Sequence, residues 1–304
     1  MHRLARLTWP LGLGSVAASL REYAVTAIDP FDIPNLVPDF EAIKDGNLAA
    51  SARTRATLRS RFDLGYGDGP RQRLDLFFPE NASGPLPIHM FIHGGYWFLN
   101  DKEMFAFPAE TITRNGAIAA IVEYTLIPNA RVAQLVDEVR QAARWLVANA
   151  ESFGGDATAF SASGHSAGGH LASYLAARAP HETQPPEIPV KSLLLVSGLY
   201  DLRPITTSYL QPSLSLTDEE VASFSPLGAE QMAGPEVVVA VGHNETEPFH
   251  LQAQDLCFAA AQRGLDYQRI TLPELDHMTI VRDLGRPESR MGALLAETIA
   301  ASRG

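Results

Sequence analysis

The chain has 304 residues, 46% of them hydrophobic and 19% charged, an ordinary globular composition with enough apolar material for a large core. Its formal charge of −11, with no Lys/Arg cluster to reverse it on one face, excludes nucleic acid as an expected partner. No apolar run reaches the roughly 18 residues of a membrane-spanning helix.

At the start of the chain, His2, Arg3 and Arg6 precede "LTWPLGLGSVAASL", which loosely resembles a short secretory signal ending near Ala18. Thr, Pro, Ser and Gly interrupt its apolar part, so a cytoplasmic protein is the expectation and a cleaved, secreted one the alternative. Gly12, Gly14 and Ala17 have a dinucleotide-type spacing, but no β-branched strand leads into them and no cofactor is expected. Residues 21–60 are mixed and charged, with turns at Pro30, Pro34 and Pro38, and read as an N-terminal cover.

From about residue 62 the pattern changes. "RLDLFF" (73–78) alternates as a half-buried strand does, and "PIHMFIH" (87–93) is a short apolar run stopped by Gly94 and Gly95. A helix-length segment leads to "AIAAIVEY" (117–124), which suits a strand covered on both faces. Over 132–147, Val132, Leu135, Val136, Val139, Ala143 and Leu146 have helical spacing, leaving Asp137, Glu138, Arg140 and Arg144 for solvent.

"TAFSAS" then predicts a strand, followed by a glycine-rich turn and an alanine/leucine helix to about Arg178. "KSLLLVSG" (191–198) and "PEVVVAVG" (235–242) are two more buried strands. A helix around 248–263, "YQRITL" (267–272) and a terminal helix complete the chain. Strands alternating with helices predict one α/β domain over 1–304, with a mostly parallel central sheet flanked by helices. The long connection between the 191–198 and 235–242 strands predicts a lid-like insertion around 203–227.

In a parallel sheet, functional groups gather at the carboxyl ends of the strands. Gly164-His165-Ser166-Ala167-Gly168 matches Gly-x-Ser-x-Gly and sits directly between a strand and a helix, the context a nucleophile elbow requires. Such a turn strains the serine backbone and lifts Oγ clear of the sheet near a helix N-terminus. Ser166 is therefore the candidate nucleophile, and it needs a base. His277, in the loop after the last strand, is the candidate; His170 is expected to point away, and His181 lies in a Pro-rich loop.

A carboxylate must orient that base. Glu245, just past the 235–242 strand, is preferred, with Asp201 and Glu247 as rivals and His243 and His250 as loop or helix-surface neighbours. For an oxyanion hole, "HGGYW" (93–97) offers the Gly95 and Tyr96 amides, joined by that of Ala167. Tyr96, Trp97 and Phe98 would put aromatic surface near the site, although core packing explains Trp97 at least as well. His89 and His93 share one strand face with no third ligand, so no metal is expected and His93 reads as a buried hydrogen-bonding residue. Cys257, the single cysteine, reads as a buried inert thiol.

These residues resemble the α/β-hydrolases and, within them, the arylformamidases (kynurenine formamidases). The likeness runs from about residue 50 to 285 and includes "FIHGGYWFLNDKEMF", "GHSAGGHLA", "VGHNETEPFHLQAQ" and "LDHMTIV". "HGGYW" corresponds to a His-Gly-Gly-x-Trp signature of that family, and the resemblance implies an α/β-hydrolase fold with Ser166 as nucleophile, His277 as base and Glu245 as acid. The family usually carries aspartate where Glu245 stands. It also implies hydrolysis of a small acyl aryl amide such as N-formyl-kynurenine, giving kynurenine and formate; a carboxylesterase on short acyl or aryl esters is the alternative, because one triad serves both bonds. The expected partner is a small-molecule substrate, with a homodimer compatible with the sequence. Asn244-Glu245-Thr246 would accept a glycan beside the proposed acid on a secretory route, which also favours the cytoplasm.

Overall fold

Strands that are apolar on both faces must be covered on both faces, and helices here do the covering. The computed structural model describes residues 28–80 and 83–303. The signal-like segment and the Gly12, Gly14, Ala17 spacing lie outside the described residues.

The cover begins with α1 (Ile33–Leu36) and α2 (Phe40–Thr57). Strand β1 (Arg59–Gly65) follows, then β2 (Arg73–Phe78), β3 (Leu86–Ile92), α3 (Pro108–Arg114) and β4 (Ile118–Val122). Helix α4 (Val132–Asn149) leads to β5 (Gly155–His165) and the short α5 (Ala167–Ser173). The two-residue β6 (Ala177–Arg178) pairs antiparallel with β8 (Glu230–Gln231), and between them lie β7 (Val190–Val196), α6 (Gln211–Leu214) and α7 (Asp218–Phe224). The chain closes with β9 (Glu236–Gly242), α8 (Glu247–Ala261), β10 (Tyr267–Leu272), α9 (His277–Asp283) and α10 (Arg290–Ala301).

The main sheet has eight strands in the order β1-β2-β4-β3-β5-β7-β9-β10. Strands β4, β3, β5, β7, β9 and β10 run parallel, and only β2 opposes its neighbours. Strand β1 was not expected from the sequence: as an edge strand with one face open and a register shift between Arg61 and Leu64, it needs no apolar alternation. Side chains alternate between two cores. Met90 and Ile92 join the cluster under α4, α5 and α8, while Phe91 joins that under α3 and α10. Each such fully buried large side chain stabilises the fold by about 1.5–3 kcal/mol.

Helical spacing placed the apolar face of α4 correctly but not all of its polar face. Asp137 and Arg144 are exposed, whereas Glu138 and Arg140 are buried. Glu138 accepts from the Thr125 amide (2.7 Å) and Gln72 (3.1 Å). Arg140 donates to the carbonyls of Tyr174 (2.9 Å) and Ala177 (2.7 Å) and pairs with Glu182. Complete pairing is what makes such burial tolerable. Helix α5 also ends at Ser173, short of the expected Arg178, because the chain turns there to form β6.

The segment 203–227 forms a 3-10 turn, α6 and α7, and packs down through Leu210, Leu214 and Phe224. Only Tyr209 of it lines the pocket described next. More of that pocket's wall comes from α1 and α2, through Ile33, Pro34, Phe40, Lys44, Asn47 and Leu48.

Candidate active site

Because the central strands are parallel, their carboxyl ends share one edge, and the candidate residues lie just beyond those ends. Ser166 follows β5 with φ 56° and ψ −123°, a conformation that costs a non-glycine residue free energy and persists only when its surroundings impose it. They do so here. The Ser166 amide donates to Val196 O (2.9 Å), and its carbonyl accepts from the His170 amide (3.1 Å). A Cβ on Gly164 would lie 2.1 Å from Gly168 O, and one on Gly168 would lie 2.1 Å from Ile92 O. The two flanking glycines thus let strand, helix and the neighbouring β3 end approach to backbone contact.

His277 is the first residue of α9, whose N-cap Asp276 accepts from the Met278 (2.9 Å) and Thr279 (2.8 Å) amides. The His277 carbonyl accepts from the His165 imidazole (2.9 Å), tying α9 to the residue before Ser166. His277 Nδ1 lies 2.7 Å from Glu245 Oε2. The other Glu245 oxygen accepts from Ser197 Oγ (2.5 Å) and the Gly242 amide (2.7 Å), and the carboxylate side chain is fully buried. With Nδ1 donating to Glu245, Nε2 is the ring nitrogen left to accept a proton.

The rival carboxylates sit elsewhere. Asp201 is paired with Arg203, and Glu247 is exposed at the start of α8. Ser166 and His277 line one pocket, although no hydrogen bond joins their side chains among the described residues. Catalytic contacts of this kind often tighten only once substrate is bound. His170 is engaged away from Oγ, between Trp97 Nε1 (3.2 Å) and Phe224 O (2.8 Å), and burial lowers its pKa to about 4. His250 meets the backbone of His243 (3.3 Å), and neither lines the pocket.

The loop after β3 runs through left-handed backbone at Gly95 (φ 123°), Tyr96 (φ 48°) and Trp97 (φ 63°). At Gly95 no side chain fits: a Cβ would lie 2.4 Å from Leu99 O. The amides of Gly95, Tyr96 and Ala167 find no acceptor among the described residues. Gly94, Gly95 and Tyr96 line the pocket beside Ser166. The Tyr96 hydroxyl donates to Phe31 O (2.7 Å), and burial, with Tyr209, Asp29 and Glu245 nearby, raises its pKa well above the usual value.

Trp97 and Phe98, expected at the pocket, lie elsewhere. Trp97 is completely buried, held by its bond to His170, and Phe98 packs half-buried against the main core. The sequence pattern could not assign their direction because consecutive left-handed residues reverse the usual alternation of side chains. Their place is taken by Tyr96, Leu99, Phe105, Tyr209 and Met278.

A buried polar cluster holds the same loop; of its members the sequence reading singled out only His93, as a buried hydrogen-bonding residue. Glu123, just past β4, accepts from the amides of Lys102 (3.0 Å) and Tyr124 (3.0 Å) and lies 3.2 Å from His93 Nε2. Arg71 joins Glu123 (2.6 Å) to the carbonyls of Asn100 (2.7 Å) and Tyr124 (3.0 Å). Burial alone would raise the Glu123 carboxyl, but the His93 hydrogen bond and the neighbouring His93 and Arg71 hold it below its ordinary value. His93 is buried and stacks on Tyr124 at 4.5 Å, while His89 meets Ser161 (2.8 Å) and Ser163 (2.7 Å). Cys257 is half-buried, and burial pushes its thiol up to about 11.

The pocket offers about 140 Å³, close to the roughly 150 Å³ that takes one benzene ring. A larger cleft of about 610 Å³ opens at the opposite ends of β7, β9 and β10, but no histidine lines it. No helix among the described residues is long and apolar enough to cross a membrane.

A BD-FAE family model matches residues 74–211, from β2 into α6. Kynurenine formamidase of Danio rerio is 28% identical over 86% of this chain and 88% of its own length. A crystal structure of a putative thioesterase from Silicibacter superposes with a TM-score of 0.77 at 27% identity, over 90% of this chain and 98% of that one. The esterase of Pyrobaculum calidifontis shares the fold at 18% identity, with a TM-score of 0.68 over 86% and 90% of the two chains. Parallel sheet, strand-end site and these likenesses agree: the chain is a hydrolase of the α/β-hydrolase superfamily, and it resembles the kynurenine formamidases.

Proposed function

We propose that the protein is a serine hydrolase that cleaves a small acyl group, formyl-like in size, from an aryl amide such as N-formyl-kynurenine. The observation that carries this reading is the Glu245–His277 pair at 2.7 Å, facing the same pocket as a Ser166 held in strained backbone. Likeness to a kynurenine formamidase over most of both chains supports the substrate. So does a pocket about the size of one ring, with mostly apolar walls.

In this mechanism His277 Nε2 takes the Ser166 proton as Oγ attacks the acyl carbon. Glu245 holds the imidazole in the required tautomer and stabilises its protonated form. The Gly95, Tyr96 and Ala167 amides, without acceptors of their own, receive the oxyanion, where one such donor is worth about 3 kcal/mol. His277 then protonates the departing arylamine. Water, deprotonated by the same imidazole, clears the acyl-enzyme and returns the proton to Ser166. The exposed Asn244 beside the acid would carry any glycan against the site, which suits a cytoplasmic enzyme.

Hydrolysis of short acyl or aryl esters is the second reading, favoured by the putative thioesterase at 27% identity. Comparing the enzyme and Ser166→Ala on N-formyl-kynurenine, p-nitrophenyl acetate and p-nitrophenyl butyrate separates the two. Much higher kcat/KM on the formamide, lost in Ser166→Ala, is the expected result. Turnover of esters alone assigns the second reading, and undiminished turnover by Ser166→Ala removes both.

A further inference from the structure

Helix α2 turns three buried polar side chains toward the body, Asn47, Ser51 and Thr54. Their spacing of four and three residues puts them on one helix face. Ser51 Oγ donates to Met104 O (2.8 Å) and Thr54 Oγ1 to Glu110 (3.1 Å), so both are tied to the protein. Asn47 is not. It is only 6% exposed, its side chain makes no hydrogen bond among the described residues, and it lines the pocket that Ser166 and His277 also line.

The polar atoms of Asn47 are not among those sealed from solvent without a partner, so the amide opens on the pocket, where a ligand can take its hydrogen bonds in place of water. Much of the pocket wall is apolar, built of Phe40, Leu48, Leu99, Met104, Phe105 and Met278. Lys44 also reaches the pocket, but its ammonium is paired with Glu41. The Asn47 side-chain N–H groups suit a neutral carbonyl acceptor.

We propose that Asn47 is a specificity-determining residue, donating a hydrogen bond to a neutral carbonyl on the aryl part of the substrate. This inference rests on the reading of the pocket as the Ser166 acyl-transfer site. A site built to hydrogen-bond its substrate rejects analogues lacking the group, because its own polar atoms are then stranded.

The test measures kcat/KM for formanilide and phenyl acetate against their ring-acetylated counterparts, with acetyl ortho, meta or para. The proteins are wild type, Asn47→Leu and Asn47→Asp, with Ser166→Ala as control. The readout is the acetyl preference relative to Asn47→Leu, which removes the substituent's intrinsic effect. Wild type is expected to favour one acetyl isomer by about tenfold or more over that baseline, mainly through KM. Asn47→Asp, which keeps the shape and loses the N–H donors, is expected to lose the preference as well.

Equal preference in wild type and Asn47→Leu overturns the inference. So does a preference surviving in Asn47→Asp, or a uniform loss on every substrate with a lowered Tm, which marks a structural role. Absent turnover in wild type, or turnover surviving Ser166→Ala, defeats instead the Ser166 reading. Asn47 is then judged by calorimetry of 2-aminoacetophenone against aniline: about tenfold tighter binding of the ketone by wild type, lost in Asn47→Leu, sustains it, and equal binding refutes it.

Discussion

Ser166, His277 and Glu245 act as one unit in the proposed mechanism, so their removals are predicted to be non-additive. Ser166→Ala and His277→Ala should each lower kcat by roughly 10⁶, and the double variant should be little worse. Glu245→Gln should cost roughly 10⁴, because the imidazole loses its fixed tautomer while its position is kept. Steady-state kinetics on the best substrate checks this ordering; a mild Glu245→Gln phenotype would make the carboxylate dispensable. Ser166 was legible because its glycine-flanked motif falls between a predicted strand and helix, and His277 because it follows the last strand. Glu245 was the preferred carboxylate for His277, but the sequence alone kept two rivals open. Asp201, Glu245 and Glu247 all follow strand ends in the right order, and only the return of the chain past Gly242 brings Glu245 inward, where Ser197 and the Gly242 amide fix its other oxygen. Asn47 and Glu123 were invisible for a related reason: an isolated polar residue looks solvent-facing until the fold closes over it.

At the scale of elements, two supports of the site carry separable predictions. Helix α9 has seven residues and depends on the capping box between Asp276 and Thr279. Asp276→Ala should lower stability by about 1 kcal/mol and reduce kcat more than KM, because His277 opens the unsupported first turn. Unchanged kcat with a lowered Tm would detach the cap from His277 placement. The loop after β3 is held by Arg71 and Glu123 (2.6 Å). Arg71→Ala strands a buried carboxylate and frees the Asn100 and Tyr124 carbonyls, which should destabilise by about 2 kcal/mol. The Gly95 and Tyr96 amides would shift with that loop, so kcat should fall while KM for an apolar aryl substrate stays near wild type. A loss confined to stability would show that the loop keeps its shape without the clamp. Strand and helix periods revealed most of these elements; β1 and the end of α5 escaped because an edge strand and a short helix are settled by neighbours, not by pattern.

For the molecule as a whole, the buried histidines set the acid limit. Burial lowers His89 to about 3 and His170 to about 4, and burial next to His277 holds His165 well below its ordinary 6.5. A histidine kept neutral in the fold but free to protonate when unfolded contributes its full stability above pH 6.5. That contribution is lost as pH falls toward the folded value, at up to about 1.4 kcal/mol per unit for each residue. Urea unfolding should therefore show stability declining from about pH 6.5 downward, well before Glu123, held below its ordinary 4.5, takes up a proton. A flat profile to pH 5 would mean that these imidazoles stay accessible to protons in the fold.

The parallel sheet matters because it brings the ends of β5, β9 and β10, distant in sequence, to one pocket edge. The most direct measurement of that convergence is peptide mapping by mass spectrometry after reaction with a fluorophosphonate. The account predicts a single adduct on Ser166, abolished in His277→Ala and strongly slowed in Glu245→Gln, with hydrolysis lost in step. An adduct on another serine, or labelling of Ser166 that proceeds at the wild-type rate without His277, would contradict it.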